Sequence, residues 1–249
     1  IGDSDKFVCL ITRDSEYLSK FFPKWEWAYH NYRDTDIHTY KEAVEALANL
    51  GYWVFRMGKK VKEPLRINHP RVIDYANLEM RSDLLDIWLP AKAYFSISTS
   101  VGLDAVPQAY RRPIVYVNAM TNADFRSHDH CIWASKNLMW ESQAGNLLTL
   151  KETLLNNFRN SEEYKEKGIK IIDLSSEQIR EIVLEMESRL TGNWRATEEE
   201  ELNQSKFIKI ISSWKSKEPE MHGFFHPEAR VSQKYLEYNS SFLSDNKSL

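Results

Sequence analysis

Short apolar runs that alternate with helical patterns constrain this chain more than any other feature. Lys6–Thr12 (KFVCLIT), Tyr52–Met57 (YWVFRM), Tyr94–Ser98 (YFSIS) and Ile114–Asn118 (IVYVN) are rich in β-branched and aromatic residues, and Val72–Ala76 (VIDYA) is a shorter candidate. Runs of this length without polar alternation suit strands buried on both faces. Between the first two, Asp36 stands at an N-cap position, Ile37, Tyr40, Val44, Leu47 and Leu50 follow at helical spacing, and Gly51 supplies a stop. Ser82 caps a second helix expected to reach Ala93, kinked or shortened by Pro90, and a third is expected from Leu103 to Tyr110. Strands and helices in alternation predict a parallel sheet with helices on both faces, the Rossmann-like α/β class.

Ser15–Asp36 reads as a long loop holding Phe21, Phe22, Trp25, Trp27, Tyr29 and Tyr32, a length that usually means a functional or partly helical segment. The second half is more helical. Leu150–Phe158 and Ser175–Leu190 are amphipathic, Lys170–Leu174 is a candidate strand, and the acidic run Glu198–Glu201 opens a helix ending near Trp214. The division expected is a nucleotide-binding lobe over residues 1–190 and a helical C-terminal extension over 191–249 packing on it, with a frayed tail after Ser240.

Composition narrows the functional classes. With 42% hydrophobic and 12% aromatic residues, the 249-residue chain has a core to bury and is not disordered. A formal charge of −3 gives no electrostatic reason to expect a nucleic-acid partner. Cys9 and Cys131 have no paired spacing, which fits a reducing, cytoplasmic setting. No apolar run reaches membrane-span length, so any membrane contact is expected to be peripheral. The chain opens at Ile1 rather than Met, as a piece of a longer protein would.

In an open parallel sheet, ligands bind beyond the carboxyl ends of the strands. That rule singles out Arg13-Asp14, Met57-Gly58, Tyr75 and Ser98-Thr99-Ser100-Val101-Gly102. The last stretch offers three hydroxyls, a glycine allowing close approach, and the N–H groups of a following helix, all suited to phosphate. The same residues also make an ordinary capped strand-to-helix turn, and the pattern leaves both readings open. It is neither a Walker A loop nor the GxGxxG fingerprint. Arg13 and Arg33 offer guanidinium groups for a diphosphate, or structural ion pairs with Asp14 or Asp34. Asp86 is a surface carboxylate or, turned inward, a partner for a ribose or base. His128-Asp129-His130-Cys131 with Asp124 invites a metal reading, but no second cluster matches it and no metal is expected. His222, Gly223 and His226 read as a docking loop, and the Trp-rich segment as a platform for a sugar or a partner domain.

Taken in order, TRDSEYL, YHNYRDTDI, GYWVFRMG, IDYAN, RSDLLDIWLPAKAYFSISTSVGLDAVP, RRPIVYVN, TGNWRATEEEELNQSKF and HGFFHPEARVSQKYL cover nearly the whole chain. The set resembles bacterial glycosyltransferases of surface-polysaccharide (capsule and O-antigen) clusters. More distantly it is similar to the donor lobe of fucosyltransferase-like enzymes, the C-terminal lobe of the GT-B fold. The resemblance implies a donor diphosphate held by Arg13, nucleoside contacts from Asp86 and phosphate contacts from Ser98, Thr99 and Ser100. Arg33 and Asp34 match motif residues. Ile11-Thr12 stands where the fucosyltransferase pattern has a His, which counts against GDP-fucose. The expected activity is metal-independent transfer of a sugar from a nucleotide-sugar to a glycan or lipid-linked acceptor, with no cofactor. Arg13 would stabilise the leaving group and Asp14 would serve as base. A missing N-terminal lobe, the acceptor lobe, and a cytoplasmic site at the inner membrane complete the expectation. The alternatives are a nucleotide-sugar epimerase or hydrolase, and a non-catalytic nucleotide-sugar or glycan binding module.

Overall fold

A computed structural model describes residues 2, 4–120, 127–128, 130–143, 145–156, 158–215 and 226–244. The strands are β1 (Phe7–Ile11), β2 (Trp53–Arg56), β3 (Val72–Ile73), β4 (Phe95–Ser98), β5 (Ile114–Ala119), β6 (Cys131–Ser135), β7 (Asn137–Trp140), β8 (Ile169–Ile172) and β9 (Arg230–Val231). Seven form one sheet in the order β3-β2-β1-β4-β5-β6-β9, with every pair parallel. β7 and β8 make a separate antiparallel pair. The first six positions reproduce the 3-2-1-4-5-6 order of doubly wound sheets. The fold is Rossmann-like α/β.

Side-chain alternation explains both layers. In β1 all five residues are buried: Val8 and Leu10 join the larger core, while Phe7, Cys9 and Ile11 join a smaller one. The larger core is closed by α2 (Lys41–Asn49), α7 (Ser176–Leu190), α8 (Glu198–Lys215) and α9 (Gln233–Tyr238), through residues such as Val44, Leu47, Ile182, Phe207 and Tyr235. The smaller core lies under α3 (Asp83–Lys92), through Leu89. The remaining helices are short: α1 (Glu16–Phe21), α4 (Ala105–Ala109), α5 (Leu150–Leu155) and α6 (Ser161–Glu166).

The expected caps are present. Asp36 accepts from the His38 amide (2.8 Å) at a 3-10 turn, Ile37–Tyr40, that leads into α2, and Gly51 ends the unit at φ +95°. Ser82 accepts from the Leu85 amide (3.2 Å). A further cap, not expected, is the capping box of Ser175 with Gln178 on α7. Other expectations change. Pro90 does not shorten α3, which runs on to Lys92, because only one backbone bond near the last turn is lost. The helix expected over Leu103–Tyr110 is a 3-10 turn (Gly102–Asp104) followed by the five-residue α4. Leu150–Phe158 helix stops at Leu155. The tail after Ser240 is docked as far as it is described: Phe242 is buried against Tyr235, and its carbonyl accepts from Leu150. Residues beyond 190 also enter the main sheet, since β9 pairs with β6.

One buried carboxylate ties this C-terminal segment down. Glu185 on α7 is 1% exposed. Its Oε1 accepts from Arg189 Nε (3.0 Å), Arg189 Nη2 (2.9 Å) and the Gln233 amide (3.2 Å); its Oε2 accepts from Ser232 Oγ (2.6 Å) and the Lys234 amide (2.9 Å). The carboxylate therefore sits on the first amides of α9, where a helix favours negative charge.

Candidate functional site

The strand order places the site. From β1 the chain winds outward one way through β2 and β3; from β4 it winds the other way through β5 and β6. The carboxyl ends of β1 and β4 therefore flank a crevice at the reversal point, where ligands of such sheets bind. A cleft of about 460 Å³ lies there, walled by Arg13 and Asp14 after β1, Met57 to Val61 after β2, Asp86 on α3, and Val101 to Leu103 after β4. Tyr17 and Leu18 of α1 close its outer side. Gly58 makes the turn possible: its φ is +149°, and a Cβ there would come within 2.6 Å of Val61 Cγ1. A second opening of about 410 Å³ shares Thr12 and Asp14 and is lined further by Asp34, Asp36, His38, Lys62, Glu63 and Asp173.

The Ser98–Gly102 turn is at the crevice, but the Ser98 hydroxyl and the Ser100 and Val101 amides are already engaged within it. Ser98 Oγ donates to Asp104 Oδ1 (2.6 Å), and the Val101 amide donates to Asp104 Oδ2 (2.8 Å). The Ser100 amide donates to Ser98 Oγ (3.1 Å), and Thr99 Oγ1 accepts from the Arg13 amide (2.9 Å). Ser98, Thr99 and Asp104 are all buried. The turn is an anion nest filled by the chain's own carboxylate. Where three hydroxyls were expected for phosphate, Ser98 Oγ is engaged inside the turn and Thr99 Oγ1 ties the turn to the chain after β1. Ser100 is only half-buried but sits at φ +64°, with its carbonyl accepting from Arg33 Nη2 (2.7 Å). Gly102 and Leu103 remain as the cleft-lining backbone of this turn.

The other expected residues divide similarly. Arg13 lines the cleft and pairs through Nε with Asp34 Oδ1 at 3.2 Å. Burial lowers the Arg13 pKa and, next in weight, so does nearby Arg33; burial raises that of Asp34. In both groups desolvation is the largest effect, ahead of the attraction between them. Such pairs concentrate at functional sites. Asp14 is anchored: Oδ1 accepts from the Glu16 amide (3.0 Å), and Oδ2 accepts from the Lys62 amide (3.1 Å) and lies 3.7 Å from Arg56 Nη2. Asp14 thus anchors the loops after β1 and β2 while still lining the cleft, and each of its oxygens keeps a lone pair beyond these bonds. Asp86 does face the cleft, yet it accepts from Tyr75 Oη (3.0 Å) and is paired with Arg81. Met57 and Gly58 are wall residues.

Several residues escape a reading by motif. Lys59 and Lys60 line the cleft directly after Met57-Gly58, and the carboxyl-end rule extended by two residues would have found them. Arg56 is fully buried between Asp14 (3.7 Å) and Asp74 (3.4 Å), and Lys136 pairs with Asp173 at 2.7 Å. Nothing local marks either pair. At the other candidate cluster, Cys131 is buried inside β6; Asp124, Asp129, His222 and Gly223 lie outside the described residues. His226 donates its amide to Ser127 Oγ (2.8 Å). Among the described residues no group of three His, Cys, Asp or Glu is arranged to hold a metal, and no helix is long and apolar enough to cross a membrane.

His30 lies against Tyr29 with ring centroids 4.0 Å apart and planes tilted by 34°. Burial lowers its pKa from the ordinary 6.5, as do Arg13 and Arg33. The unfolded chain therefore takes up a proton that the folded one resists, and stability present above pH 6.5 is lost as the pH falls through the folded value. Denaturant unfolding between pH 8 and pH 5 should show a smaller acid loss in His30→Asn than in the parent; equal slopes would remove His30 from this account.

No family model, curated protein or solved structure matches this chain. The functional reading therefore rests on the cleft.

Proposed function

We propose that the crevice between β1 and β4 binds the nucleoside diphosphate of a sugar donor, and that the chain is the GT-B-type donor-binding part of a glycosyltransferase. One observation carries the reading: the reversal point of the strand order opens into a cleft whose lining combines apolar residues (Tyr17, Leu18, Met57, Val61, Leu103) with the cations Arg13, Lys59 and Lys60. The apolar residues suit a base. The cations suit a diphosphate, with Lys59 and Lys60 taking the role first expected of the Ser98 turn. In transfer, the acceptor hydroxyl oxygen bonds to the anomeric carbon as the bond from that carbon to the diphosphate oxygen breaks, and the hydroxyl proton passes to a base or to water. Charge growing on the diphosphate would be stabilised by these cations.

The test is a melting series with UDP, GDP, CMP and dTDP. A ligand at one hundred times its dissociation constant should add about 2.7 kcal/mol to stability. If none of the four moves the melting curve, the donor-site reading fails. Asp14, whose oxygens accept from two backbone amides, favours a second reading, a binding module without turnover. Incubation of the full-length protein with a nucleotide-sugar that binds and a panel of glycan acceptors separates the two: acceptor-dependent nucleotide release marks a transferase, and binding without release marks a module.

A further inference from the structure

The segment from α1 to residue 31 packs almost nothing into the core. α1 has no buried residue, and Trp25 is 71% exposed. Its rings nevertheless form a connected set. Phe22 meets Trp27 edge-on at 6.2 Å, Trp25 meets Trp27 at 6.4 Å, and Trp27 stacks on Tyr29 at 6.3 Å. Trp27 Nε1 donates to the Phe22 carbonyl (2.9 Å), which fixes the central indole. Preorganised aromatic faces in contact with water have a cost unless something covers them.

Beside these rings is a cavity of about 280 Å³, lined by Ser15, Ser19, Trp25, Glu26, Trp27 and Asn31. It is just below the range of about 300–1,000 Å³ filled by drug-sized ligands, which suits a single sugar ring. Its walls keep polar valences. Glu26 Oε1 accepts from the Ala28 amide (3.1 Å), whereas Oε2 and the Asn31 side-chain amide make no hydrogen bond among the described residues. Ser15 does not cap α1 with its side chain.

We infer that this cavity is a saccharide-binding subsite. It takes one pyranose unit of a glycan, with the sugar's C–H face on Trp25 and Trp27 and its hydroxyls on Glu26 and Asn31. Aromatic planes beside a carboxylate and an amide meet both chemical sides of a sugar, the apolar face and the hydroxyl edge. Two other occupants fit less well. An anionic membrane would need net positive charge, but Lys20 and Lys24 are balanced by Glu16 and Glu26. A second protein copy would need a flat apolar patch rather than a polar cavity. The location adds meaning. Ser15 and Ser19 face this cavity from α1, while Tyr17 and Leu18 face the nucleotide cleft, so one short helix separates the two. Naming the bound glycan as the acceptor rests on the donor-site reading; saccharide binding itself does not.

The experiment is saturation-transfer NMR on the full chain with methyl pyranosides of glucose, galactose, mannose and N-acetylglucosamine, and with cellobiose and chitobiose. At least one should receive saturation at its ring C–H protons. Trp25→Ala should weaken that sugar about tenfold, and Glu26→Gln should weaken it while keeping the Ala28 bond. Trp25 is exposed, so an unchanged melting curve will confirm that its variant folds. No transfer from any of the six sugars, or transfer indifferent to Trp25→Ala, overturns the inference. So does binding to phosphatidylglycerol vesicles, or a dimer in sedimentation, that Trp25→Ala abolishes while no sugar binds. UDP and GDP melting shifts measured on the same variants tell a failed saccharide site from a failed donor site.

Discussion

Glu185→Ala should lower the unfolding free energy by roughly 3–5 kcal/mol, the range found when one partner of a buried charged network is removed. The carboxylate accepts five hydrogen bonds, and its loss takes this acceptor from the Ser232 hydroxyl and two α9 amides in a buried space and leaves Arg189 with Glu200 as its remaining carboxylate partner. For a chain of this length the melting temperature should fall on the order of 10 °C. Glu185→Gln keeps the volume and two acceptor lone pairs, and should lose less. Because Ser232 and Glu185 share one network, Ser232→Ala added to Glu185→Ala should cost much less than it does alone. A loss below about 1 kcal/mol in denaturant unfolding of Glu185→Ala would mean that the network is not what holds the C-terminal segment.

Arg13→Ala should weaken binding of whichever nucleoside diphosphate stabilises the protein by about 10- to 100-fold, the worth of a charge-assisted hydrogen bond in a partly buried site. Two effects act together. The cation facing the diphosphate is gone, and Asp34 loses the partner that neutralises it. Asp34→Asn separates these effects. It releases the Arg13 guanidinium from its counter-charge and should tighten diphosphate binding, whereas a purely structural Arg13 predicts no gain. Calorimetric titration of the parent and both variants decides it; unchanged affinity in Arg13→Ala takes this residue out of the site.

The parts of this fold that were legible in the sequence are those set by local chemistry. β1, β2, β4 and β5 stand out as apolar runs because a parallel strand is covered on both faces. Asp36 and Ser82 mark helix starts because capping needs only a side chain and an amide two or three residues away. β6 was missed. Its five residues, CIWAS, are wholly buried, yet they follow the polar RSHDH stretch and carry no alternation to mark them. β9 has two residues and gains its meaning only from pairing with β6, about a hundred positions earlier. α1 reads as loop because it has no apolar face turned to the core.

The site divides along the same line. The carboxyl-end rule led to Arg13, Met57, Gly58 and Gly102, and all four line the cleft. It also led to Thr99, whose Oγ1 accepts from the Arg13 amide, and to Ser98, whose hydroxyl is turned to Asp104. For Ser98 the difference comes from Asp104, which reads as an ordinary helix residue but accepts from its hydroxyl and from the Val101 amide. The sequence by itself determined the run of strands and helices, the caps, and hence a parallel α/β sheet, because each of these depends on residues within a few positions of one another. Only the tertiary structure decided the strand order, the pairing of Arg13 with Asp34, the fixing of Asp14, and which of the polar groups beyond the strands remain available to a ligand. Whether a polar group is spent or available depends on its neighbours in space, and those arrive from distant parts of the chain.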